Sequence, residues 1–260
     1  MFAHFTHAIV RPPASNFADG LTTVDLGRPD IDLALAQHTQ YCDALARHGC
    51  DVIALPANDR FPDSTFVEDT AFILPGLDAI LTRPGADSRK GEVALIRSAI
   101  TGIFPHTSQV DAPGTLDAGD VCETETDVFI GMSARTNEAG AQQLSAWLSL
   151  HGRRSTLIDI RETPGILHLK SGVTALGDGR LLATNSLVSH EAFRDYDIVC
   201  VPEGEEYAAN CVRVNDVVFL AHGYPHTRAM LRGLGYTLEL LDMSEFERMD
   251  GGLSCLSLRC

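Results

Sequence analysis

Residues 247–260 read Glu247-Arg-Met-Asp-Gly-Gly-Leu-Ser-Cys-Leu-Ser-Leu-Arg-Cys260. Chain ends usually fray, but Gly252–Leu258 has the composition of a buried strand, with a thiol, Cys255, just after a glycine pair. That thiol has three readings: a core residue, a metal ligand or a nucleophile. The strand has no hairpin partner after it. The segment able to pair with it is His7-Ala-Ile-Val-Arg11, at the other end of the chain. Joining the two ends is the reading that decides the fold.

Working back from the end, short apolar runs recur in pairs. Phe66–Ile73 precedes Ala79-Ile-Leu, and Leu116–Cys122 precedes Asp127-Val-Phe-Ile. Leu167–Leu176 precedes Arg180-Leu-Leu, and Asn210–Val214 precedes Val217-Val-Phe. The intervening Pro75-Gly-Leu-Asp78, Glu123-Thr-Glu-Thr126, Gly177-Asp-Gly179 and Asn215-Asp216 suit hairpin turns. Helical spacing follows over 88–100, 137–150 and 227–234, then another strand, as at 155–160 and 237–241. The terminal unit adds a helix over 32–47 and a strand over 51–55. Five units of hairpin, helix and strand, the fifth closed by the two termini, predict a ring forming a single domain over residues 1–260. An ordinary α/β sandwich with hairpins is the competing reading.

The totals narrow the function. Acidic residues outnumber Lys and Arg by 35 to 20, giving a net charge of −15, which disfavours nucleic acid as a partner. The same balance suits a cationic small molecule. No apolar run approaches a membrane span, and the N-terminus has no basic region or long apolar run, so no membrane association or signal peptide is expected. The 7 cysteines show no C-x-x-C spacing, which argues against a disulfide framework or a cysteine-rich metal site and for a cytoplasmic setting. No cofactor and no metal are expected. An edge or helix face could serve a homodimer.

Placed by the start of each unit's first strand, the polar residues are Glu68-Asp69, Asp117 and Asp120, His168, Asn210 and Cys255. In a ring these starts converge at one end of the axis, so acids, an imidazole and a thiol would share one cleft. On a strand, neighbours point to opposite faces, so only one of Glu68 and Asp69 should face that cleft. Taken singly, each has a plainer explanation. Asp63 could cap a turn, His168 between leucines could be a bonded core residue, and a free cysteine is commonly buried and inert. Gly251-Gly252 favours close approach by a ligand or another backbone. Arg89 and Arg135 each follow a hairpin near a helix start, where positive charge is disfavoured, and so are candidates for binding an anionic group.

Six segments in order resemble the dimethylarginine dimethylaminohydrolases of the guanidino-modifying superfamily. They are Phe61-Pro-Asp-Ser-Thr-Phe-Val-Glu-Asp69, Leu81-Thr-Arg-Pro-Gly-Ala-Asp-Ser-Arg89, Gly114-Thr-Leu-Asp-Ala-Gly-Asp120, Ser133-Ala-Arg-Thr-Asn137, Leu167-His-Leu-Lys-Ser171 and Asp250-Gly-Gly-Leu-Ser-Cys-Leu-Ser257. The resemblance implies a five-bladed α/β propeller with pseudo-fivefold symmetry, closed by the N- and C-terminal strands. It also implies hydrolysis of Nω-methylated arginine to citrulline and dimethylamine or methylamine. Cys255 would be the nucleophile, His168 the general acid and base, and Asp117 the group that orients His168. Asp69, supported by Glu68, would hold the guanidinium. Leu21, on a mobile lid over 15–25, and Asp63 would meet the α-amino end; Arg89 and Arg135 would grip the α-carboxylate.

Only a thiolate attacks, and a free thiol ionises near pH 8.5. With acids around it, Cys255 is expected to stay neutral until a cationic substrate arrives. Carboxylates that stabilise positive charge oppose the needs of an oxyanion-hole protease. His168-Leu-Lys170 lacks the second acid of the His-x-Asp pattern expected of arginine deiminases, which favours a methylated substrate. Arginine deiminase or another guanidino hydrolase, an amidinotransferase and a non-catalytic binder of cationic amino acids are the alternatives.

Overall fold

The two chain ends pair. In the computed structural model, which describes residues 4–74, 76 and 78–260, Ser257–Arg259 runs antiparallel to His7–Val10, with Ala8 opposite Arg259 and Val10 opposite Ser257. The N–H groups of Thr6 and His7 both reach the Cys260 carbonyl, at 2.7 and 2.8 Å. His7–Val10 also pairs in parallel with Asp51–Ala54, which completes a three-stranded sheet.

Four more sheets repeat that plan: a first strand antiparallel to a second, and the second parallel to a third. In chain order they are Ala71–Leu74, Asp78–Leu81 and Thr107–Gln109; Val121–Glu123, Asp127–Met132 and Arg154–Asp159; Val173–Gly177, Arg180–Ala183 and Asp197–Cys200; and Val212–Val214, Val217–Ala221 and Thr237–Leu241. This is the five-bladed α/β propeller with pseudo-fivefold symmetry. Turn chemistry explains the hairpins. Asp178 and Gly179 hold φ of 54° and 71°, and Asn215 holds 54°, values that suit tight hairpin turns and the residues found there. Pro75 and Leu77 of the first hairpin turn lie outside the described residues.

Helices fill four of the connections between second and third strands: Ile31–Arg47, Glu92–Ile103, Glu138–Leu150 and Pro225–Gly233. Side chains cap two of them. Asp30 accepts from the N–H groups of Asp32 and Leu33, and Asn137 accepts from that of Gly140. The third blade carries only the short turn Glu191–Phe193, because its linker has no sustained apolar period. No helix among the described residues is long and apolar enough to cross a membrane.

One expectation needs correction. The polar residues do not lie at the start of the first strands. A single helical turn precedes each strand, at Val67–Thr70, Ala118–Asp120, Leu169–Gly172, Glu206–Ala209 and Ser254–Leu256. The five first strands are therefore shorter than their apolar runs suggested. Four residues are too few to display a helical period, and the backbone turns there because tertiary contacts hold it.

Candidate active site

Cys255 sits in the turn Ser254–Leu256, and its sulfur accepts the Gly252 N–H at 3.4 Å. The glycine pair is needed for close approach, though by side chains rather than by another backbone. A Cβ on Gly251 would lie 2.2 Å from the Phe66 ring, and one on Gly252 would lie 2.4 Å from Asn210. Asn210 itself accepts the Ser254 N–H at 3.0 Å, so it braces the turn that carries the thiol.

His168 Nε2 lies 3.1 Å from Asp117 Oδ2. Asp117 is wholly buried, and its other oxygen accepts the Gly85 N–H at 2.9 Å. Asp69 accepts from Arg89 Nη1 at 2.5 Å and from the Gly119 N–H at 3.0 Å. Gly119 lets these groups meet: a Cβ there would be 2.8 Å from Asp69 and 2.9 Å from His168.

Cys255, His168, Asp69, Asp63, Leu21, Arg89 and Arg135 all line one cavity of about 30 Å³, room for roughly one water. Asp117 stands behind the imidazole. Glu68, on the same helical turn as Asp69, points the other way. It accepts from Ser254 Oγ at 2.9 Å and pairs with Lys170 at 2.6 Å and Arg259 at 3.1 Å. So one of the two adjacent acids faces the cleft, as expected, but a helical turn and not a strand separates them. Phe66, Leu167, Met249, Asp250 and Gly251 complete the wall; of these, only Gly251 is tied to ligand approach by the sequence.

The two arginines differ. Arg89 is buried, and most of its donors go to Glu92, Asp69 and the carbonyls of Asp63 and Phe66. Glu92 opens the following helix and neutralises the charge that the helix start disfavours. Arg135 is half-buried, and its guanidinium makes no hydrogen bond or ion pair with another described residue. The segment expected to be a lid is folded down. The Asp63 carboxylate accepts the Leu21 N–H at 2.9 Å, Asp59 holds Ser15, and Asp250 accepts from both the N–H and hydroxyl of Thr23.

Electrostatics divides the site into charged and neutral members. Burial pushes the Cys255 thiol up to about 12, with Glu68 and Asp69 adding to the effect. For His168, burial pulls down, but Asp69, Asp120 and Asp117 outweigh it and raise the imidazole to about 9. Burial likewise opposes charge on Asp69, yet His168 and Arg89 bring its carboxyl down to about 2. At neutral pH the site holds a neutral thiol, an imidazolium and an ionised Asp69. Asp69, Asp117 and His168 each bring one donor atom within 4.8 Å of the others, a spacing that could hold a metal ion. Their oxygens already accept from Arg89, Gly119, Gly85 and His168.

A propeller of five such blades, with thiol, imidazole and carboxylates meeting near its axis, defines the guanidino-modifying class. The chain is 43% identical over 256 residues, 98% of its own length and 99% of the relative's, to the N(G),N(G)-dimethylarginine dimethylaminohydrolase of Pseudomonas aeruginosa. It superposes with a TM-score of 0.96, at 42% identity and over 99% of this chain and 100% of the other, on the Pseudomonas aeruginosa enzyme in which a cysteine is replaced by serine, complexed with citrulline. A histidine-to-glycine variant of a dimethylarginine dimethylaminohydrolase, an adduct with S-methyl-L-thiocitrulline, matches with a TM-score of 0.95 at 43% identity over 98% and 100% of the two chains. No family model matches. The chain belongs to the dimethylarginine dimethylaminohydrolase family.

Proposed function

We propose that this protein hydrolyses Nω-methylated arginine, the asymmetric dimethyl form and also the monomethyl form, to citrulline and dimethylamine or methylamine. The observation that carries the reading is the single cavity walled by Cys255, His168 and Asp69, in a fold whose close relative is complexed with citrulline. Asp69 holds the guanidinium through lone pairs left by Arg89 and Gly119, and Glu68 supports it from behind the turn. Arg135, with Arg89 beneath it, receives the α-carboxylate. Asp63 and the Leu21 backbone meet the α-amino group.

The bound cation supplies the positive charge that the resting thiol lacks, and the Cys255 proton leaves to solvent as the thiolate forms. The sulfur adds to the guanidino carbon. His168, held as an imidazolium and oriented by Asp117, protonates the departing dimethylamine, leaving a cationic thiouronium on Cys255. The now neutral His168 takes a proton from water as its oxygen attacks the same carbon. Collapse frees the thiolate and, after loss of a proton, citrulline. One water is consumed and one amine released. The segment carrying Leu21 is tied to Asp63 at the cavity wall, so it lifts to admit the substrate and closes before chemistry.

The test is incubation with dimethylarginine, monomethylarginine, arginine and other guanidino compounds, with citrulline and each amine assayed and a Cys255→Ser protein as control. Citrulline with stoichiometric dimethylamine is expected. Absence of any ureido product overturns the reading, while ammonia from arginine alone points to a deiminase. The reading includes a cytoplasmic enzyme, supported by seven cysteines that are all free. It also admits a homodimer, which sedimentation would measure.

A further inference from the structure

Asp120 is wholly buried and is not part of the cavity wall, yet it touches two segments that are, those of Arg135 and His168. Its Oδ2 accepts from Ser133 Oγ and Thr136 Oγ1, both at 2.6 Å, and its Oδ1 accepts the Leu169 N–H at 2.9 Å. Each hydroxyl, having given its proton to Asp120, can only accept from elsewhere. Ser133 Oγ accepts the N–H groups of Arg135 at 2.9 Å and Thr136 at 3.1 Å. Thr136 Oγ1 accepts the Asp117 N–H at 3.1 Å. Gly131 makes the room: a Cβ there would come within 3.1 Å of Asp120 Oδ1.

One carboxylate thus secures the residue after His168, the backbone of Asp117 and the turn that presents Arg135. We propose that Asp120 is a positioning residue that fixes the spacing between the acid–base group, His168, and the amino-acid anchor, Arg135. The inference rests on the reading above, in which the substrate stretches between those two side chains. A bound arginine derivative spans both ends at once, so a shift at either end displaces the guanidino carbon from the sulfur. Displacement of about 1 Å can cost about a hundredfold in rate. The wiring needs an acceptor at all three contacts. An asparagine of the same shape must aim its NH₂ at either the Leu169 N–H or the two hydroxyls, and one branch of the network breaks. Asp120 also acts with Asp69 and Asp117 to raise the charged form of His168, so its neutralisation has a titration signature that a purely structural residue would lack.

The experiment compares wild type, Asp120→Asn and Ser133→Ala by steady-state kinetics across pH. The substrates are dimethylarginine and its decarboxylated analogue, which keeps the dimethylguanidino group and the amine. Asp120→Asn is expected to lower kcat about a hundredfold and to move the titration of His168 to lower pH. Ser133→Ala removes the hydroxyl that holds the Arg135 and Thr136 N–H groups and leaves the Asp120 bonds to Thr136 and Leu169 in place. It is expected to raise KM for dimethylarginine about tenfold, with kcat nearly unchanged and the decarboxylated analogue unaffected. An Asp120→Asn enzyme with wild-type kcat and an unmoved titration overturns the proposal, as does a Ser133→Ala enzyme equally impaired on both substrates. If Asp120→Asn does not fold, the Ser133→Ala comparison decides alone. A wild type that forms no citrulline overturns the parent reading, and this one with it, and so is told apart from a failure of Asp120 alone.

Discussion

Glu68 and Asp69 share one helical turn, yet Asp69 faces the thiol-lined cavity while Glu68 faces a second cavity of about 240 Å³ where the five first strands meet. The same division recurs at His168 and Lys170, and at Cys255 and Ser254. Three turns therefore deal their polar residues to two regions with opposite electrostatic habits. On the thiol side, Cys255 stays neutral and the Arg135 guanidinium has no hydrogen-bond or ion-pair partner among the described residues. On the axial side, Glu68 is matched by Lys170, Arg259 and Ser254. The paired charges around Glu68 tie three blades together, while the thiol side keeps a guanidinium and a thiol that can meet a substrate.

The comparison breaks most sharply at the sulfur. Cys255→Ser removes the nucleophile and should lower citrulline formation by about 10³-fold or more, with thermal stability nearly unchanged. His168→Ala should cost roughly 10²- to 10⁴-fold, the usual worth of a general acid–base. Its titration gives the sign of the pH dependence. The thiolate fraction rises with pH towards the Cys255 value of about 12, while the imidazolium is lost above about 9. The product of the two, and with it kcat/KM, climbs with pH and stops climbing near 9. Asp117→Asn removes a group that raises the imidazole and should bring that break to lower pH; an unmoved break would refute the assignment of Asp117 as the orienting group.

On the axial side the effect should appear in stability instead. Lys170→Met leaves Glu68 short of a buried partner and should destabilise the fold by about 3 kcal/mol, with kcat within a few-fold of wild type, since breaking a buried pair costs ~3–5 kcal/mol. Denaturant unfolding alongside turnover measures both. A large loss of kcat at unchanged stability would erase the distinction between the two regions. The smallest effect is expected at the rim. Asp250→Asn keeps a side chain tolerant of the φ of 56° found there but weakens the tie to Thr23, so KM should rise about threefold, the worth of one modest hydrogen bond.

The repeat was legible because hairpins and amphipathic helices are local. Alternating apolar runs, the Asp178-Gly179 turn and the Asp30 and Asn137 caps all act within a few residues. The pairing of the chain ends was legible from an odd strand at each end. The helical turns ahead of the first strands were hidden, since four residues carry no period and their apolar members read as strand. Asn210 had been placed at the right point of the fourth unit, but its task, bracing Ser254, depends on contact across a blade boundary. Glu92 left one clue, an acid three residues after Arg89, whereas Asp120 resembled a turn residue until its three partners were brought beside it. Phe66, Leu167 and Met249 gave no signal, because an apolar residue lining a cleft has the same local pattern as one in the core.

By itself, the amino-acid order determined five repeating units, their closure through the two ends, and which residue types gather near the axis, because period, turn chemistry and strand count are properties of neighbours along the chain. Only the tertiary structure decided which member of each polar turn faces the thiol and which faces the centre, and which arginine is spent and which is available. Those outcomes depend on burial and on partners as many as 191 residues away, as between Glu68 and Arg259, and no local pattern encodes them.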